Sequence, residues 1–96
     1  YTIISLDDLL AKEVDLALFS AGGKVSEIWA PQLAAKDCKV IDNSSFWRMH
    51  QNHKLIVPEI NGDQLRIEDM IISNPNCSTI QLLMALFPLH QKFSNY

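Results

Sequence analysis

Four short apolar runs punctuate this chain, at residues 14–19, 39–42, 55–57 and 70–72, each bounded by Gly, Pro, Asn or Asp. Such runs suit strands buried on both faces of a parallel sheet. Between the first two, Val25, Ile28, Trp29 and Leu33 recur at helical spacing and predict one apolar stripe of a helix over 25–35. Pro31 falls inside that stripe and predicts a break or a kink. The fourth run passes through Asn74-Pro75-Asn76 into a second helix opening at Cys77. Ile80, Leu83, Met84 and Phe87 share a face of it, and Pro88 is expected to end or bend it. A short helical turn is expected over 6–12. Strands alternating with helices predict βαβ units and a doubly wound, mostly parallel α/β sheet.

Composition narrows the function classes. At 96 residues the chain makes at most one domain, and a domain of that size hides only roughly 60–65% of its unfolded surface. A hydrophobic content of 48% against 20% charged reads as soluble and globular rather than disordered. A net charge of −3 gives no reason to expect nucleic acid or an anionic membrane as a partner. No apolar stretch approaches the ~20 residues of a membrane span, and Tyr1-Thr2-Ile3-Ile4-Ser5 has no secretory pattern. Cys38 and Cys77 lack the spacing of a zinc or redox pair. A disulfide between them is possible in principle, but reduced thiols in the cytoplasm are the better expectation. No metal site is expected. The absence of an initiator Met makes the chain read as a piece of a longer protein.

Three segments with chemical potential each follow an expected strand, and in a parallel sheet all three fall at the carboxyl edge, where α/β proteins bind ligands. Ser20-Ala21-Gly22-Gly23 follows the first; its glycines permit positive φ and close approach at a helix N-terminus, or mark an ordinary turn. Arg48 follows the second, after Ser44 and Ser45; its planar fork suits phosphate and serine hydroxyls can add donors, or it is a solvated surface arginine. Cys77 follows the fourth. A helix N-terminus favours an anionic nucleophile, and its unpartnered N–H groups can hold an oxyanion, whereas the bland alternative is a buried structural thiol. Asn76 can place its amide near a reacting carbonyl, cap the helix, or do both. Gln81 lies one turn on from Cys77.

The octapeptide Asn74-Pro75-Asn76-Cys77-Ser78-Thr79-Ile80-Gln81 resembles the active-site signature of the aspartate-β-semialdehyde dehydrogenase family. Ser20-Ala21-Gly22-Gly23, Ile41-Asp42-Asn43-Ser44-Ser45-Phe46-Trp47-Arg48-Met49 and Val57-Pro58-Glu59-Ile60-Asn61 resemble that family too, in its order. The resemblance implies part of a Rossmann-like NADP-binding domain over residues 1–96, ending in the helix of the catalytic cysteine, with the substrate and dimerisation domain not present. It implies that Cys77 is the nucleophile, that Arg48 binds the substrate's phosphoryl group or free phosphate, and that Ser20, Ala21, Gly22 and Gly23 contact the dinucleotide. The reaction implied is reduction of L-4-aspartyl phosphate by NADPH through a cysteine thioester, in a homo-oligomer (dimer or tetramer). Phe46-Trp47 departs from the family's pattern before the arginine.

Two expected features are missing: no G-x-G-x-x-G occurs, so that turn is expected upstream, and none of His50, His53 and His90 matches the family's catalytic histidine. His90 lies thirteen positions beyond Cys77, ~20 Å along a continuous helix. Glu59 and Asn61 are expected to be structural. N-acetyl-γ-glutamyl-phosphate reductases share the thioester route but carry Asn-Pro-Gly-Cys, where residue 76 here is Asn. The alternative of another class is a non-catalytic Rossmann-like module.

Overall fold

The computed structural model describes residues 1–94. In chain order it runs α1 (Leu6–Leu10), β1 (Leu16–Phe19), α2 (Gly23–Ala34), β2 (Lys39–Asp42), β3 (Lys54–Leu55), α3 (Pro58–Asn61), a 3-10 turn (Gly62–Gln64), β4 (Ile71–Ser73) and α4 (Cys77–Lys92). The strands form one sheet in the order β1-β2-β4-β3, with all pairs parallel. The α/β class expected from the alternation is present. β3 lies at the far edge, so the chain passes over the position that β4 later fills. β1, β2 and β4, the three strands followed by candidate site residues, are consecutive neighbours.

α2 packs on one face of the sheet, over Phe19, Val40 and Ile71, and contributes Ala30 and Leu33 to that core. Its inward face is Ser26, Ala30 and Leu33, with Val25 and Trp29 half-buried; Ile28, expected in the stripe, is 55% exposed. The expected break at Pro31 does not occur. Proline costs a helix one hydrogen bond and crowds the preceding turn, but the helical bonding resumes beyond it, where Ala35 N–H donates to the Pro31 carbonyl at 2.9 Å. α4 likewise runs through Pro88 to Lys92, so the expected ending there is overturned. Asp37, at φ 60°, reverses the chain after α2, and Cys38 N–H donates back to the Leu33 carbonyl.

Burial on both faces, expected of every strand, holds for β4 alone. Leu16 and Leu18 of β1 are 52% and 74% exposed on the face away from α2, and Ile41 beside them is exposed as well. α4 buries no residue, and the chain including it is elongated, with extents of 51 × 26 × 25 Å. β3 is shorter than the expected run because Val57 N–H donates to Asn61 Oδ1 at 2.8 Å rather than to a strand. Asn61 Nδ2 also donates to the Leu55 carbonyl at 2.9 Å, the structural task expected of it.

Candidate active site

Adjacent strands stand about 4.8 Å apart, so the carboxyl ends of β1, β2 and β4 span only ~10 Å. Backbone bonds continue past the strand ends and fix the three exits together: Asn43 N–H donates to the Phe19 carbonyl at 2.8 Å, and Asn74 N–H to the Asp42 carbonyl at 2.8 Å. Asn74 Nδ2 then donates to Asn43 Oδ1 at 2.9 Å, tying the second exit to the third. Sequence reasoning passed over both asparagines; two Asn residues, each one position past a strand, were the available signal.

Arg48 sits across this seam. Its Nε–H donates to the Asn74 carbonyl at 2.9 Å and its Nη2–H to the Asn43 carbonyl at 3.1 Å. Half-buried and doubly held, it is not a free surface arginine. A guanidinium carries five N–H donors, so these two bonds orient the group and leave the rest of its fork for an anion. Ser44, expected to add a donor there, does not: its hydroxyl is buried and donates to Asp42 Oδ2 at 2.6 Å. Ser45 remains exposed.

Cys77 is the first residue of α4, exposed and unpaired. Asn76 is the N-cap, its Oδ1 accepting from Ser78 N–H at 2.8 Å; that side-chain bond is one a glycine could not make. Cys38 is the opposite kind of thiol. It is buried in the core, and burial, helped by the Asp15 carboxylate, pushes its thiol pKa up. Both cysteines are free, so the disulfide possible in principle is not formed.

Gly22 caps α2 at φ 88°, ψ 164°, a conformation open to glycine, and nothing lies within 4 Å of where its Cβ would be. Gly23 has no positive φ; a Cβ there would make ordinary contact with Phe46 at 3.6 Å. Only one of the two glycines therefore uses the freedom expected of both. The first turn of α2 carries no acidic residue, so an exposed backbone, a helix N-terminus and open space fit a dinucleotide's phosphate or ribose.

Two of the three histidines, His50 and His53, are held in an aromatic cluster on the loop that carries Arg48. Trp47 packs edge-on against His50 and His53 at 5.0 and 4.8 Å between ring centres, and Phe46 meets Trp47 edge-on and His50 at a tilt. Burial in that cluster, then the neighbouring His50, lowers the His53 pKa. His90 stands ~20 Å from Cys77 along the unbroken α4. Among the described residues, no helix is long and apolar enough to cross a membrane.

A parallel α/β sheet whose open glycine turn and two helix N-termini gather at one carboxyl edge defines a dinucleotide-binding module. The model of the family described as "Semialdehyde dehydrogenase, NAD binding domain" matches residues 2–68, and the chain belongs to that family. Its cofactor is accordingly a nicotinamide dinucleotide. The chain is 47% identical over 95 residues to the aspartate-semialdehyde dehydrogenase of Aquifex aeolicus, covering 96% of this chain and 28% of that protein. It is similar in structure to aspartate semialdehyde dehydrogenase II from Vibrio cholerae, with a TM-score of 0.78 and 47% identity over 82% of this chain and 24% of that one. The same Vibrio cholerae enzyme complexed with ASA gives a TM-score of 0.77 and 48% identity, over 81% of this chain and 26% of that one. The chain thus spans about a quarter of the length of these relatives.

Proposed function

We propose that this chain supplies the nucleophile and part of the cofactor cleft of an aspartate-semialdehyde dehydrogenase. The reaction is reduction of L-4-aspartyl phosphate to L-aspartate 4-semialdehyde with release of phosphate, serving the synthesis of lysine (with diaminopimelate), threonine, methionine and isoleucine. The observation that carries this reading is Arg48, held at the Asn43 carbonyl after β2 and at the carbonyl of Asn74, which lies three residues before Cys77 in the β4 exit. A fixed cation and an exposed thiol on adjacent exits suit one substrate bearing both a phosphoryl group and an electrophilic carbonyl.

Cys77 Sγ attacks the acyl-phosphate carbonyl; the S–C bond forms, the C–O bond to phosphate breaks, and the leaving dianion is received by Arg48. N–H groups of the first turn of α4 offer an oxyanion partner as the tetrahedral carbon forms. The nicotinamide, when bound, supplies the hydride that reduces the Cys77 thioester. Collapse of the resulting thiohemiacetal breaks the S–C bond, frees the aldehyde and returns the thiolate. Ser20, Ala21, Gly22 and Gly23 hold the dinucleotide, NADP rather than NAD, with the contacts to its 2′-phosphate made outside these 96 residues.

The proton-transfer histidine belongs to a further substrate and dimerisation domain, since His50 and His53 are engaged in the Trp47 cluster and His90 is remote. The enzyme works as a dimer or tetramer in the cytoplasm, consistent with two free thiols.

Replacement of the nucleophile tests this. In the full-length protein Cys77→Ser is expected to fold normally and lose turnover by about a thousandfold or more, because a hydroxyl is essentially unionised at neutral pH. Cys38→Ser keeps most activity, and acyl-phosphate analogues protect Cys77 from alkylation. A loss of only a few-fold in kcat for Cys77→Ser removes the thioester route.

A further inference from the structure

The one buried carboxylate among the described residues has no part in the chemistry above. Asp42, at the end of β2, is 0% exposed. A carboxylate in that position is tolerable only if its oxygens are satisfied, and here they are. Ser26 Oγ donates to Oδ1 at 2.7 Å from α2, Ser44 N–H donates to Oδ1 at 3.0 Å, and Ser44 Oγ donates to Oδ2 at 2.6 Å. Ser44 Oγ in turn accepts from Phe46 N–H at 3.3 Å, which passes the restraint two residues further along the loop.

The clamped residues bracket the one that Arg48 leans on. Asn43, whose carbonyl accepts from Arg48 Nη2, lies between Asp42 and Ser44. The Asp42 backbone carbonyl accepts from Asn74 N–H, and Asn74 supplies the second anchor of the guanidinium. Both carbonyls that orient Arg48 are thus set by bonds to Asp42, one through its side chain and one through its main chain. An ionised carboxylate is acceptor-only and serves three donors at once; an amide of the same size offers one oxygen and must turn an NH2 toward a donor.

We propose that Asp42, acting through Ser44, is a positioning residue for Arg48: it fixes the Asn43 carbonyl and the 43–48 turn so that the guanidinium stands in place before phosphate arrives. The inference rests on Arg48 as the phosphate-binding group. It predicts an affinity for phosphate that depends on Asp42 only while Arg48 is present.

Inorganic phosphate binding by the full-length protein reads this out, with KM for phosphate in the reverse reaction as a second measure. Asp42→Asn and Ser44→Ala are each expected to weaken phosphate by about five- to tenfold, with a smaller effect on kcat. The double variant Asp42→Asn/Arg48→Ala is expected to bind no worse than Arg48→Ala alone. Should Asp42→Asn fail to fold, Ser44→Ala with Arg48→Ala completes the same cycle. Unchanged affinity in both Asp42→Asn and Ser44→Ala, or an equal loss with and without Arg48, overturns the positioning role while leaving the phosphate assignment intact. Unchanged affinity in Arg48→Ala overturns the phosphate assignment, and the role of Asp42 with it.

Discussion

Arg48 reaches from the loop after β2 to the exit of β4, where its Nε–H donates to the Asn74 carbonyl at 2.9 Å. That single bond couples the anion-binding candidate to the segment that ends in Cys77. A second bond, to the Asn43 carbonyl, fixes the plane of the guanidinium, so the cation is oriented by backbone rather than by a neighbouring acid. Among the described residues no carboxylate pairs with it, so its charge stays available to a ligand.

Removal of this group has a graded outcome. Charge-assisted contacts of roughly 1.5–3 kcal/mol are lost, so Arg48→Ala is expected to weaken phosphate and acyl phosphate about ten- to a hundredfold. Arg48→Lys restores charge without the fork and can reach only one of the two carbonyls at a time, so it recovers part of the affinity. Titration calorimetry with phosphate measures both; wild-type affinity in the alanine variant reduces Arg48 to a structural strut.

The two glycines of the first exit are expected to respond in opposite directions. Gly22→Ala meets no steric obstacle, but φ 88° strains any side-chain-bearing residue by about 1–3 kcal/mol. It should lower the melting temperature and weaken dinucleotide binding. Gly23→Ala places its Cβ in ordinary contact with Phe46 inside the first turn of α2, and is expected to be neutral or to stabilise by up to ~1 kcal/mol. Equal melting of the two variants would show that the turn is not held as described.

The strand exits were readable because β-type runs ended at Asn or Ser and led straight into candidate groups. Adjacency of β1, β2 and β4 was not readable, since no local signal says that β4 inserts between β2 and β3. Pro31 and Pro88 do not end α2 and α4 because a proline removes only its own N–H bond to the preceding turn, while its carbonyl still accepts, as that of Pro31 does from Ala35 N–H. Ser44 misled because its hydroxyl is captured by Asp42, a contact set by the turn after β2. Ile28 misled because helical spacing finds a face without saying which part of it the sheet covers.

The Trp47 cluster gives stability a slope with pH. His53 has its pKa lowered by burial and by His50, so in the folded state it takes up a proton at lower pH than the ordinary ~6.5 of the unfolded chain. Between those two values the unfolded state binds more protons, and stability falls as pH falls. Denaturant midpoints are expected to drop from about pH 7.5 to about pH 5.5, and His53→Leu to flatten that slope. Asp69 acts in a separate window: hydrogen bonds from the Lys54 side chain and the Arg66 N–H hold its carboxyl below the usual range. Its contribution is present above about pH 4 and is lost as pH falls through its lowered value. A flat profile between about pH 7.5 and 5.5 in the wild-type chain would contradict the environment described for His53.

Residues 1–96 alone carry a more exposed apolar surface than a self-sufficient domain tolerates. Leu16, Leu18 and Ile41 face away from α2 and are exposed, and among the described residues β1 lies at an unpaired edge of the sheet. α4 adds Leu82, Met84, Leu86 and Leu89, all exposed on a helix that is apolar around most of its circumference. Contiguous apolar patches and bare strand edges drive association. Expressed alone, the chain is expected to lack dehydrogenase activity, to bind a hydrophobic dye, to elute as mixed oligomers and to melt without a sharp transition. Leu18→Lys, which charges the middle of the bare edge strand, is expected to reduce that association without touching the core under α2. A monomer that melts sharply and binds NADPH would mean that these residues cover their own sheet in solution, and that the open face beside β1 is closed by a rearrangement of α1 or α4.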